Sequence, residues 1–90
     1  MAKVYVTEWG DFRDQCPYNA PLRTQVATSS GTSAAITIGE NTARVRVHVD
    51  GIISFNIDAA ATVNDARMIA GQTEYLTVET GHTFNYITNT

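Results

Sequence analysis

Apolar and polar residues alternate along most of this chain, and the alternation predicts short β-strands. Val4 and Val6 share one face of residues 2–8, with Lys3, Tyr5 and Thr7 on the other. Residues 22–28 form a second candidate, with Leu22, Thr24, Val26 and Thr28 on one face. Residues 34–38 give a third, and residues 39–41 make a tight connection. Ala43, Val45 and Val47 then alternate with Arg44, Arg46 and His48. Past Asp50-Gly51, Ile53, Phe55 and Ile57 alternate with Ser54 and Asn56. A short strand over 67–70 ends at Gly71, and two more flank Glu79-Thr80-Gly81.

Two of these segment pairs predict hairpins closed by the same device. A three-residue loop at 49–51 sets Val47 against Ile53, Val45 against Phe55 and Ala43 against Ile57. All the apolar groups then share one face, whereas a two-residue Asp-Gly loop would split them. Gly51 falls at the left-handed position of a type I turn followed by a G1 bulge. Residues 79–81 repeat the logic, with Leu76 opposite Phe84, Glu74 opposite Tyr86 and Gly81 at positive φ.

The remaining segments are connections. Residues 9–20 hold Gly10, Pro17 and several charges, and predict an irregular arm with at most a helical turn around 11–15. Pro21 ends it. Residues 59–65 have small side chains and no clear period, and predict a connection with one turn. The expectation is therefore an all-β fold with seven to eight short strands. It is an antiparallel β-sandwich, jelly-roll-like or immunoglobulin-like, built as a single domain over 1–90.

Composition narrows the setting. Charged residues make up 17% of the chain, below the usual ~25%. A surface of Thr, Ser and Asn suits β structure and burial against a partner. The net charge of −3 comes with no long run of Lys and Arg, which argues against nucleic acid. Cys16 is the only cysteine, so no intrachain disulfide forms, in keeping with a reducing cytoplasm. Residues 1–8 lack the apolar core of a secretory signal. No apolar stretch approaches the ~18 residues of a membrane-spanning helix.

Candidate chemistry is sparse. His48 and His82 lie on different hairpins without metal-ligand spacing, and strand ends explain them as well. Arg44, Arg46 and His48 form a positive row on one strand face: an anion or acidic-partner patch, or a solvated face that discourages edge pairing. Trp9, Phe12 and Tyr18 cluster around the irregular arm, where they either anchor an interface or cap the sandwich. Cys16 has no histidine near it in sequence to activate it. Residues 29–33 lack the lysine of a phosphate-binding loop. No catalytic constellation stands out, so the expectation is a non-enzyme without cofactor or metal.

The run from Ser33 to Thr88 resembles small virion structural proteins of tailed bacteriophages. The resemblance is carried by Ser33-Ala34-Ala35, by Thr42-Ala43-Arg44-Val45-Arg46-Val47-His48-Val49-Asp50, and by the apolar strand that follows. Ala59 to Thr62, Arg67-Met68-Ile69-Ala70-Gly71 and Thr73-Glu74-Tyr75 continue it, and Lys3-Val4-Tyr5-Val6-Thr7-Glu8 matches the start. Residues 9–20 depart from the pattern. The resemblance implies a capsid decoration (cement) protein that binds major capsid protein on the virion exterior after synthesis in the host cytoplasm. It also implies a homo-oligomer with no direct contact to nucleic acid or membrane. Trp9, Phe12 and Tyr18 are the first candidate contacts, and Arg44 and Arg46 the second. A tail or connector accessory protein is the alternative within the same class. A free carbohydrate- or protein-binding module is the alternative outside it, and would need an exposed aromatic platform.

Overall fold

The computed structural model describes residues 2–10 and 21–90. Eight strands follow in order: β1 (Lys3–Trp9), β2 (Arg23–Thr28), β3 (Ala34–Thr37), β4 (Arg44–Val49), β5 (Ile53–Ile57), β6 (Ala66–Met68), β7 (Thr73–Thr77) and β8 (Thr83–Thr88). They form two four-stranded antiparallel sheets, ordered β2-β1-β4-β7 and β3-β8-β5-β6. The described residues are all-β with no helix, and the two sheets make a β-sandwich.

The alternation read from the sequence sets which side of each strand meets the core. Val4 and Val6 of β1 and Val45, Val47 and Val49 of β4 are fully buried from one sheet. Ile36, Ile53, Met68, Phe84 and Tyr86 meet them from the other. Phe84 is the central aromatic, with ring centroids 5.3 Å from Phe55 and 6.1 Å from Tyr86. One end is closed by the amide of Ala2, which donates to Ser29 Oγ at 2.9 Å, and by Ser29 Oγ against Thr88 Oγ1 at 2.7 Å.

The two predicted hairpins do not form. β4 and β5 lie in different sheets, as do β7 and β8. Val45 is opposite Glu8 and Leu76, not Phe55. Phe84 is opposite Ile36 and Ile57, not Leu76. Each segment pair is an arch that crosses the core. β4 lies beside β7 in one sheet and β5 beside β8 in the other, so the arches interlock and their crossings fall at opposite ends. The reason is geometric. Two strands that each bury their alternate residues can share a core from the same sheet or from facing sheets, and period 2 is identical in both cases.

Gly51 illustrates the difference. It is not left-handed, as a G1 bulge would require; the positive-φ glycines are Gly71 and Gly81. Its lack of a side chain serves close approach instead, since a Cβ there would lie 2.8 Å from that of Ala2. Gly81 does hold the expected positive φ, within the β7–β8 crossing.

Smaller corrections follow. Trp9 belongs to β1 and not to an arm, and it points outward with Tyr5 and Thr7. β6 begins one residue earlier than the expected strand and is shorter. In β2, Thr24, Val26 and Thr28 do share a face, but it is the exposed one, while Arg23, Gln25 and Ala27 turn inward. The row Arg44, Arg46 and His48 faces outward as expected. It cannot guard an edge, because β4 is an inner strand between β1 and β7.

The arch topology has a direct test. His48 and Thr73 are register partners on β4 and β7, with Nδ1 and Oγ1 2.8 Å apart. In a C16S background, the H48C/T73C pair is expected to form a disulfide on mild oxidation, because directly opposed Cα atoms fall within bridging range. Failure to cross-link, read by mass spectrometry, would count against the β4–β7 pairing.

Candidate docking surface

The two outer faces of the sandwich differ. The 58–65 connection meets the outer face of the β3-β8-β5-β6 sheet at Ala61 and Val63. The Ala61 amide donates to Ser33 Oγ at 2.8 Å, and Asn89 Nδ2 donates to Ser54 Oγ at 2.8 Å and to the Val63 carbonyl at 3.2 Å. Ser54 is fully buried although it points away from the core. A turn in which Thr62 N donates to Asp65 Oδ2 at 2.7 Å shapes this segment, matching the connection with one turn read from the sequence.

The outer face of the β2-β1-β4-β7 sheet carries no such cover among the described residues. Its side chains fall into rows set by the cross-strand register. Thr24, Thr7, Arg46 and Tyr75 form one row. Val26, Tyr5, His48 and Thr73 form the next, and Trp9 and Arg44 are partners nearer the opposite end. Tyr75 is 66% exposed and Val26 56% exposed. The Tyr5 ring lies 6.3 Å from that of His48, and Thr24 Oγ1 donates to Thr7 Oγ1 at 3.3 Å. A shallow depression of about 410 Å³ lies among Tyr5, Thr7, Thr24, Arg46, His48 and Asp50. Asp50 sits at its rim with Oδ1 occupied by the Lys3 amide at 2.6 Å.

The structure thus places Trp9, Arg44 and Arg46 on one face. Phe12, Tyr18 and Cys16, with most of the expected arm, lie outside the described residues. Tyr5 and Tyr75 were not among the sequence candidates. The signal for Tyr5 was its phase opposite Val4 and Val6. Tyr75 had none, because β7 was assigned to the wrong neighbour.

Two polar clusters lie elsewhere. Glu8 is fully buried, in phase with Val4 and Val6. Its carboxylate accepts from Gln25 Nε2 at 2.6 Å, Thr42 Oγ1 at 2.7 Å, Arg23 NH1 at 2.8 Å and the Gly39 amide at 2.9 Å. Burial pushes its pKa up. The hydrogen bonds outweigh that, and the carboxyl ends below the ordinary glutamate value. With every partner satisfied, this cluster is a structural tie between β1, β2 and the β3–β4 connection. At the same end, His82 is tied to the carboxylate of Asp58 at 2.6 Å, with Glu79 3.9 Å from its other nitrogen. Asp58 is left-handed at φ 62° and exchanges bonds with Thr83, whose amide chiefly holds the Asp58 carboxyl below its usual range. His82 is therefore a half-exposed latch on the β7–β8 crossing. Among the described residues, no group of three or more His, Cys, Asp or Glu is placed to hold a metal ion.

No protein-family model, curated protein or solved structure matches this chain.

Proposed function

We propose that this chain is a capsid decoration protein of a tailed bacteriophage and that it docks on major capsid protein through the outer face of the β2-β1-β4-β7 sheet. One observation carries the docking half of this reading. Among the described residues, one outer face is covered at Ala61 and Val63 and the other carries no such cover, with aromatic and cationic side chains on it. Arginine and aromatic residues are the types enriched at protein interfaces. The phage half rests on the sequence pattern of residues 33–88. The mechanism is additive burial. Each copy covers on the order of 1,000–2,000 Å² across capsid subunits, and internal pressure must break those contacts as well. Self-association at a capsid symmetry axis belongs to the same reading. β2 is a sheet edge of six residues without lysine or proline, which a second copy can extend.

Purified virions are expected to contain the chain in high copy, and particles lacking it to release DNA at a lower temperature. A handful of copies per particle would move the reading to a tail or connector component. Absence from virions would favour a free binding module, for which the exposed Tyr75 supplies an aromatic side chain on that face.

A further inference from the structure

Each sheet of the sandwich has two edges, and they are not equally open to another strand. β6 offers three residues. β3 offers four, and the Thr37 carbonyl on its outer side already accepts from Gln25 Nε2 at 2.9 Å. β7 carries Glu74 half-buried on the same side as Leu76, which packs on the core, and an inward-facing charge discourages pairing at an edge. β2 has six residues, and its one charge, Arg23, is neutralised by the Glu8 carboxylate at 2.8 Å. Among the described residues, β2 is therefore the longest edge without a guard.

Hydrogen bonding fixes which residues of β2 face that edge. The Ser29 amide donates to the Ala2 carbonyl at 2.7 Å, in the register of the β1–β2 pair. Antiparallel partners exchange their bonds at every second residue, so Ala27, Gln25 and Arg23 also turn their backbone groups to β1. Thr24, Val26 and Thr28 turn theirs to the open edge, and all three side chains are exposed. Those positions read Thr-x-Val-x-Thr in either direction. An edge that reads alike both ways is complementary to itself when turned end for end. The same face holds a precedent for the threonine pairs this makes: Thr24 and Thr7 are register partners, with hydroxyls 3.3 Å apart.

We infer that two copies of this chain join through β2, antiparallel about a two-fold axis at Val26, so that two four-stranded sheets become one continuous sheet. Val26 lies opposite the partner's Val26, and Thr24 opposite the partner's Thr28. Each of these pairs exchanges two backbone hydrogen bonds. A register shifted by one residue would set exposed side chains against inward ones and leave the free backbone groups out of phase. A shift by two would lose a pair. The axis brings the two bare faces side by side, and Val26, beside Tyr5 on β1, continues that row into the partner. The inference gives the self-association within the decoration reading a definite geometry, and rests on that reading only for its place on the capsid.

The test is the mass of the free full chain by sedimentation from about 1 to about 300 μM, because a strand-to-strand contact is smaller than a standard interface and binds weakly. Wild type is expected to reach a dimer. V26K sets two cations face to face on the axis and is expected to weaken dimerisation by about tenfold or more. β7 also reads Thr-x-Tyr-x-Thr over its five residues, so Y75K is the control and is expected to dimerise as wild type does. Melting of V26K at about 1 μM, where wild type is also monomeric, is expected to match wild type, which separates lost pairing from lost fold. In a C16S background, V26C is expected to form a linked dimer on mild oxidation, because directly opposed Cα atoms fall within bridging range. T28C is expected to stay unlinked, because residue 28 of each copy meets residue 24 of the other. If V26K melts lower, the V26C linkage decides alone. A wild-type monomer throughout the range overturns the inference and leaves docking on capsid protein, read on virions, untouched. A dimer that survives V26K, or that only Y75K dissolves, overturns it as well, as does linkage through T28C in place of V26C.

Discussion

Replacing Glu8 with alanine is expected to destabilise the protein by about 3 kcal/mol or more, because a fully buried carboxylate that accepts four hydrogen bonds is removed and its donors lose their acceptor. The loss leaves Arg23, Gln25 and Thr42 and the Gly39 amide without their shared acceptor, and β2 and the β3–β4 connection without their tie to β1. For a domain of this size, that corresponds to a drop of roughly 12–24 °C in melting temperature. Glu8→Gln keeps the shape and one acceptor oxygen, and is expected to cost about half as much. It also exposes the role of charge. The folded-state pKa of Glu8 lies below its unfolded value, so the unfolded chain binds the proton first as pH falls. The stabilisation from the ionised carboxylate is therefore present above about pH 4.5, and is lost progressively as pH drops through the folded pKa. Asp58 is shifted in the same direction, which is why the variant comparison is needed to isolate Glu8. Urea titrations at pH 7 and pH 2.5 check this. The gap between wild type and Glu8→Gln should narrow in acid, and a gap independent of pH would refute the assignment.

Phe84→Ala is expected to cost about 3–5 kcal/mol, the range for truncating a buried aromatic. Phe84 is 1% exposed and stacks on both Phe55 and Tyr86 at the centre of the core. Against the usual total stability of about 5–15 kcal/mol, this brings the domain near its unfolding threshold. Phe55 is only partly buried and packs at the margin of the cluster. Phe55→Ala should therefore cost clearly less, although both residues belong to strands of the same sheet. Chemical denaturation of the two variants tests the order. Equal losses, or a loss below about 1 kcal/mol for Phe84→Ala, would mean that the core is not centred where the structure puts it.

The candidate surface was half legible in the sequence. Arg44 and Arg46 could be placed on one outward face because they alternate with Val45 and Val47. From the sequence Trp9 falls in the irregular arm, because Gly10 and the run behind it hide the end of β1. Yet it continues the phase of Tyr5 and Thr7 and sits opposite Arg44. Tyr75 could not be joined to Arg46 at all. They are 29 positions apart in sequence and meet only because β7 lies beside β4.

The same division runs through the fold. By itself, the sequence determined that the described residues are all-β, where most of their strands begin and end, and, outside β2, which side of a strand meets the core. Those properties follow from a local period and from turn residues such as Gly81, whose positive φ is needed whatever the strand pairing. Only the tertiary structure decided that residues 49–51 and 79–81 are crossings between sheets and not hairpin loops. Val45 and Phe55 were correctly assigned to one core, but they face it from opposite sides. The choice lies in nonlocal contacts. Ala2 packs against Gly51, and β7 occupies the side of β4 that β5 would need in a hairpin. A pattern of alternating residues records burial and not the identity of the neighbour, so it carries no trace of that choice.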